Sequence, residues 1–215
     1  MNDSTNNITP TALDINITNI AHHEIDHLAS LITQRQKDPQ FMRFLKEHPM
    51  TEEENFDVIQ KKLASENVVI KTISETHIKD IIWFILFHNF DPQEKSLEIS
   101  FRIDPNNQKK WACTHAVKQS LHDVLTNPLI EKIVGRHSVW NKWSFNVFRK
   151  SGFIITDFVP QQTFLQNIGK ITDDFKREIT KNFLNTSQVS ENKLPHIAEH
   201  NKEKIIEWLQ EHKFI

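Results

Sequence analysis

The segment from Trp140 to Phe153 spells out one helix with both of its ends, and any sheet around it must accept that geometry. Asn141 suits the cap position, because its side-chain oxygen can accept from the unpaired N–H groups of the first turn. Trp143, Val147 and Phe148 recur at helical spacing and give the segment one apolar face. Gly152 stands where helices end on a left-handed residue, a conformation glycine enters without steric penalty. Phe153, Ile154 and Ile155 then change to strand chemistry. With only three glycines in 215 residues, the one at this joint has a structural reason to be there. A helix that runs straight into a strand is common, and by itself it fixes no function.

The rest of the chain alternates in the same manner. Residues 1–14 are polar and read as a flexible N-terminus. Ile15 to Ile20 alternates as a strand, and His22 to Gln36 carries Ile25, Leu28, Leu31 and Ile32 at helical spacing. A short helix is expected over Pro39 to Glu47. Thr51 and Glu54 have capping-box spacing, with acids at the positive end of a helix that runs through Phe56, Ile59 and Leu63. Asn67 to Ser74 reads as a strand. The run Ile81 to Phe87 is too short to span a bilayer and reads as a buried strand. A turn at Asp91 to Glu94 returns the chain into a partner strand, Lys95 to Ile103. A helix from Lys110 to Leu125 and a strand from Leu129 to Val134 precede the opening segment. Pro160 to Lys170 reads as loop or irregular strand. Behind a Thr172 cap, Phe175, Ile179 and Phe183 recur every four residues, which predicts a helix. Leu194 to Lys213 predicts a final amphipathic one. The expected architecture is an α/β (α+β) mixed sheet with helices on both faces over residues 15–170, followed by a helical C-terminal extension over residues 171–215.

Composition excludes several classes of function. A net charge of −2 provides no bulk basic field for nucleic acid, so none is expected as a partner. No membrane partner is expected either. No tyrosine is present to act as an acid, and three glycines cannot build a glycine-rich phosphate loop. A lone cysteine, Cys113, forms no internal disulfide, which points to a reducing cytoplasm. The abundance of Asn, Lys and Ile suggests an AT-rich, bacterial genome. His23-Glu24-Ile25-Asp26-His27 matches the zinc-protease spacing H-E-x-x-H. Against that reading, Asp26 is charged where such proteases keep an apolar residue, and no third ligand follows at a convincing spacing. Leu28, Leu31 and Ile32 already explain this helix as one that packs on a sheet, so no metal is expected.

The pattern Asn141-x-x-Ser144-x-x-Val147-x-x-Lys150-x-Gly152-Phe153 closely resembles the fourth-helix motif of the GNAT superfamily of acyl-CoA-dependent N-acetyltransferases. Within it, the chain looks most like the ribosomal-protein N-terminal acetyltransferases of the RimJ/RimL type. Thr51-Glu52-Glu53 resembles that subgroup's T-E-E segment, and Glu98-Ile99-Ser100-Phe101 stands where it shows E-I-G-Y. Ile103-Asp104-Pro105 stands where its fourth strand ends. The resemblance covers roughly Ile15 to Phe158. It implies a V-shaped split between the fourth and fifth strands that holds acetyl-CoA, with pantetheine along Phe101 to Ile103. It also implies that the pyrophosphate lies on Gln108, Lys109, Lys110, Trp111, Ala112 and Cys113, at a helix N-terminus. The acceptor is implied to be a primary amine, on a small molecule or a peptide N-terminus, that attacks the thioester directly.

This sequence departs from the family pattern at several of these positions. Trp111 replaces the first glycine of the phosphate loop, and Cys113 occupies its second small position. Phe148 stands where many relatives keep a tyrosine acid, and E-I-G-Y has become E-I-S-F. The resemblance then leaves Glu98 as the base and Ser144 as the acid that protonates the leaving thiolate. Each has a plainer reading, Glu98 as a solvent-facing strand carboxylate and Ser144 as a first-turn serine. Asn141 either touches the pantetheine arm or only caps its helix. Acceptor pockets in this fold come from His22 to Glu66 and Asp157 to Gly169. The C-terminal apolar residues either make a homodimer surface or fold back on the chain's own core. Two functional readings remain: an acetyltransferase, or a binding or regulatory protein on the same fold that no longer uses acetyl-CoA.

Overall fold

The computed structural model describes residues 15–43, 48–65, 68–75, 81–103, 112–165, 170–181 and 196–211. Strand β1 (Ile15–Asn19) is followed by α1 (Ile25–Gln36), α2 (Pro39–Met42) and α3 (Glu52–Leu63). Next come β2 (Val69–Glu75), β3 (Ile81–Asp91), β4 (Ser96–Ile103), α4 (Ala112–Leu125), β5 (Lys132–Ser138) and α5 (Lys142–Lys150). The chain closes with β6 (Ile154–Leu165), β7 (Lys170–Thr180), the short β8 (His196–Ile197) and α6 (Lys202–Glu211).

The eight strands among the described residues form one sheet in the order β1-β2-β3-β4-β5-β7-β6-β8. Neighbours are antiparallel except for β4 with β5 and β6 with β8. Strand alternation divides the core. Trp83, Ile85 and Phe87 of β3 and Leu97 and Ile99 of β4 face α4 and α5, where they meet Ala116, Val117, Leu121, Val147 and Phe148. On the opposite face Leu86 and Ile70 lie under α1 and α3, against Leu28, Ala29, Ile32 and Ile59. Lys71 pairs with Asp123 of α4 at 2.9 Å and ties that helix to β2. α1 and α3 are joined by a buried polar knot: the Asn55 amide donates to Thr33 Oγ1 (2.9 Å) and Gln36 Oε1 (3.0 Å), and Gln36 Oε1 also accepts from Met50 N. Thr51 and Glu54 close their capping box, each side chain accepting from the other's backbone N–H.

Three sequence expectations change. Residues 170–180 are not a helix: they form β7, inserted between β5 and β6. Four residues is close to one helical turn and also two strand repeats, so the recurrence of Phe175 and Ile179 fits both periods. Pairing with β5 on one side and β6 on the other makes this segment a strand, in which Phe175, Arg177 and Ile179 are buried while Lys176 and Glu178 between them are only partly so. Phe183 lies outside the described residues. The final helix is shorter than expected and begins at Lys202, after β8. Its apolar residues are spent inside the chain: Ile205 and Leu209 are fully buried against Val139, Phe145, Ile155 and Phe175. The strand expected at Leu129 to Val134 runs from Lys132 to Ser138.

Candidate active site

β4 and β5 pair only from Ser96 opposite Lys132 to Ile99 opposite Gly135. Beyond that point β4 continues to Ile103 along β3, and β5 continues to Ser138 along β7, with no pairing between the two. Parallel strands that share an edge and then lose it enclose a wedge-shaped gap bordered by unsatisfied backbone N–H and C=O groups. The chain leaves β4 at the mouth of this gap and returns through α4.

An aromatic wedge fills one side of the fork. The Phe148 ring of α5 lies over Gly135, so close that a Cβ there would sit 2.3 Å from it. The same ring is 5.0 Å from Phe101, stacks on His137 at 5.5 Å and meets Phe153 edge-on at 4.8 Å. Trp143 packs edge-on against Phe101 at 5.7 Å. Gly135 is therefore glycine because the ring occupies the space of its side chain.

Behind the wedge lies a buried basic pair. His137 Nδ1 is 2.9 Å from the Ser138 carbonyl, which can only accept, so Nδ1 carries the proton. Nε2 is then free to accept from Arg177 Nε, 3.0 Å away. Burial first, and the Arg177 charge second, push the His137 pKa down to about 3, so the ring is neutral. Burial, with a smaller push from Arg149, lowers Arg177 to about 9. Its guanidinium lies over the Phe145 ring at 4.5 Å. Both terminal nitrogens of Arg177 are buried without a hydrogen-bond partner among the described residues.

The expected site residues fall on different parts of this frame. Asn141 caps α5, its Oδ1 accepting from Ser144 N at 3.0 Å. Ser144 is buried in the first turn of that helix. Glu98 lies in the paired zone opposite Val134, one residue before its end, and points to the face opposite Phe101, by strand alternation. There its Oε2 accepts from the Asn89 amide at 3.2 Å. The structure thus gathers Phe101, Phe148 and Trp143 on one face and leaves Glu98 on the other. Ile103 ends β4 and Ala112 begins α4. Cys113 is buried in the core, where desolvation raises its thiol pKa far above the ordinary value. Gln108, Lys109, Lys110 and Trp111 lie outside the described residues. Gly135, His137 and Arg177 were missed by sequence reasoning. A glycine inside an apolar strand was the one signal that marked a close approach there.

Of the H-E-x-x-H pattern, His23 and His27 are exposed, and Glu24 accepts from Ala21 N at 2.7 Å. Among the described residues no group of His, Cys, Asp or Glu is arranged to hold a metal ion. Nor is any described helix long and apolar enough to cross a membrane.

A family model described as a GNAT acetyltransferase domain matches residues 19–154. Solved structures agree in fold. A spermidine N-acetyltransferase from Vibrio cholerae, in complex with CoA and spermine, superposes with a TM-score of 0.70 at 15% identity, over 80% of this chain and 99% of that one. RimL, a ribosomal L7/L12 α-N-protein acetyltransferase in complex with coenzyme A, gives 0.70 at 15% identity, over 80% and 96%. MccE, a microcin C7 self-immunity acetyltransferase in complex with acetyl-CoA and AMP, gives 0.67 at 19%, over 78% and 92%. No curated protein matches the chain in sequence.

Proposed function

Because the chain belongs to the GNAT family of acetyltransferases, we propose that it moves an acetyl group from acetyl-CoA to a primary amine, with the donor lying in the gap between β4 and β5. The observation that carries this reading is the early end of β4–β5 pairing at Ile99 and Gly135. It leaves β4 backbone from Ser100 to Ile103 facing the gap, able to bond an amide-containing chain such as pantetheine. Solved structures of the same fold hold CoA or acetyl-CoA in their complexes, which supports the choice of donor.

In this reading the amine nitrogen attacks the acetyl carbonyl, a C–N bond forms and the C–S bond breaks. Glu98 takes the proton from the amine and Ser144 supplies one to the departing thiolate; water then returns a proton to the Ser144 oxygen and accepts the one held by Glu98. Phe148 cannot do so, since its ring has no proton to give. The acceptor is a small amine or a peptide N-terminus, the two kinds of substrate named for the spermidine and ribosomal-protein enzymes.

Calorimetric titration of the protein with acetyl-CoA tests the donor, and absence of heat at high concentrations of both removes the proposal. Once turnover is measurable, Glu98→Gln is expected to lower kcat by about 10²–10⁴, the usual contribution of a general base. Ser144→Ala is expected to lower kcat with little change in KM. A non-catalytic reading is favoured by one observation, the aromatic cluster that holds Phe148 at the acid position. The same titration separates the two.

A further inference from the structure

On the face of the sheet that carries Glu98, a cavity of about 500 Å³ opens between the last turn of α3 and the end of β3. Lys61, Lys62, Ser65, His88, Asn89 and Phe90 are among its lining residues, and among the described residues no carboxylate lines it. One wall is shaped by a break in the β3–β4 ladder, whose register shifts between His88 and Asp91. In a regular pleat Asn89 would point to the face opposite His88 and Glu98. Instead Asn89 takes a left-handed backbone, φ 53°, and its amide turns to donate to Glu98 Oε2 at 3.2 Å. Bulges re-aim side chains in this way, and asparagine tolerates the conformation better than most residues. His88 Nε2 lies 2.9 Å from Ser100 Oγ on the same face. Asn89 therefore belongs both to the cavity wall and to the hydrogen bonding of the carboxylate assigned as base.

The charge of the cavity selects its occupant. Its lining cations are Lys61 and Lys62, at the end of α3. A polyamine bringing ammonium groups here meets like charge, whereas an anion is attracted. Resting on the acetyl-transfer reading, we propose that this cavity receives the anionic part of the acceptor. The amine acetylated at Glu98 is then one that carries a carboxylate or a phosphate several bonds away. The anionic group binds and orients without taking part in bond changes. The preference would set this chain apart from the spermidine enzyme that shares its fold.

Thiol release from acetyl-CoA is followed with four amines of similar length: 4-aminobutyrate, phosphoethanolamine, butylamine and putrescine. The carboxylate or phosphate amine is expected to exceed butylamine in kcat/KM by roughly fivefold to tenfold, the range of two partly exposed charge contacts. Putrescine is expected to be slowest, and the order of the first two identifies the anion. In the double variant Lys61→Gln/Lys62→Gln the ratio of acidic to neutral amine falls toward one. A neutral or cationic amine as fast as the acidic ones, or a double variant that keeps the ratio, overturns the proposal. If no amine reacts, the same chain labelled with ¹⁵N is titrated with glutarate and with glycerol phosphate. Amide shifts at Lys61, Lys62 and Asn89 that vanish in the double variant support the cavity, and no shift overturns it. Heat with acetyl-CoA but no preference sinks only the cavity assignment. Shifts without acetyl-CoA heat sink only the transferase reading.

Discussion

Gly135 and Phe148 are a matched pair in which one residue's missing side chain is the other's seat. Gly135→Ala drives a methyl group into a ring already held by Phe101, His137 and Phe153. Overpacking of this kind costs about 1–3 kcal/mol. The expected outcome is a lower thermal midpoint together with weaker acetyl-CoA binding, since the ring moves at the fork of the gap. An unchanged midpoint would show that the ring has room to yield. His137 makes a second measurable statement. Its folded pKa of about 3 lies below the ordinary histidine value, so between those two values the unfolded chain binds the proton that the native chain refuses. Stability from this residue is complete well above the ordinary value and is lost as pH falls toward the folded one, by about 2 kcal/mol in all once pH 5 is reached. In His137→Gln the amide oxygen can still accept from Arg177, and nothing titrates there. Denaturant midpoints of the two proteins between pH 7 and pH 5 are expected to converge in acid; parallel curves would rule the assignment out.

The elements that could be read from the sequence are those whose signals are local. Thr51 with Glu54 and Asn141 with Gly152 mark helix ends by chemistry that acts within one turn, and both helices lie where that chemistry puts them. β3 declared itself by continuous apolar residues. What could not be read depended on partners distant in the chain. Arg177 is buried because Phe145 and His137 lie against it, and no property of residues 170–180 alone says so. Asn89 reaches Glu98 only because the strand bulges, which no periodicity announces. α6 illustrates the same dependence in its energetics. Removing the chain from Glu199 onward strips Ile205 and Leu209 from Val139, Phe145, Ile155 and Phe175. Each lost burial is worth roughly 1.5–3 kcal/mol. The shortened protein is expected to unfold at lower denaturant and to bind a hydrophobic dye, while an unshifted midpoint would mean that α6 only rests on the surface.

At the scale of the molecule, the two faces of the sheet carry different groups. One holds α4, α5 and the aromatic wedge beside the gap. The other presents Glu98, its Asn89 partner and a cationic cavity beside α3. The gap between β4 and β5 lies beside both faces. Its β5 border is completed by β7 rather than by β6, with Lys132 opposite Thr180 and Ser138 opposite Asp174. That arrangement has a consequence for how the protein is made. A growing chain that has released β4, α4, β5 and β6 still lacks the strand that seats β5. Pairings this far apart in sequence are slow to form, and until they do β5 is an unprotected edge. The gap proposed for the donor is therefore among the last features to take its final form during synthesis, and a ribosome stalled before residue 170 displays an unpaired, adhesive edge of β5 on the side away from β4.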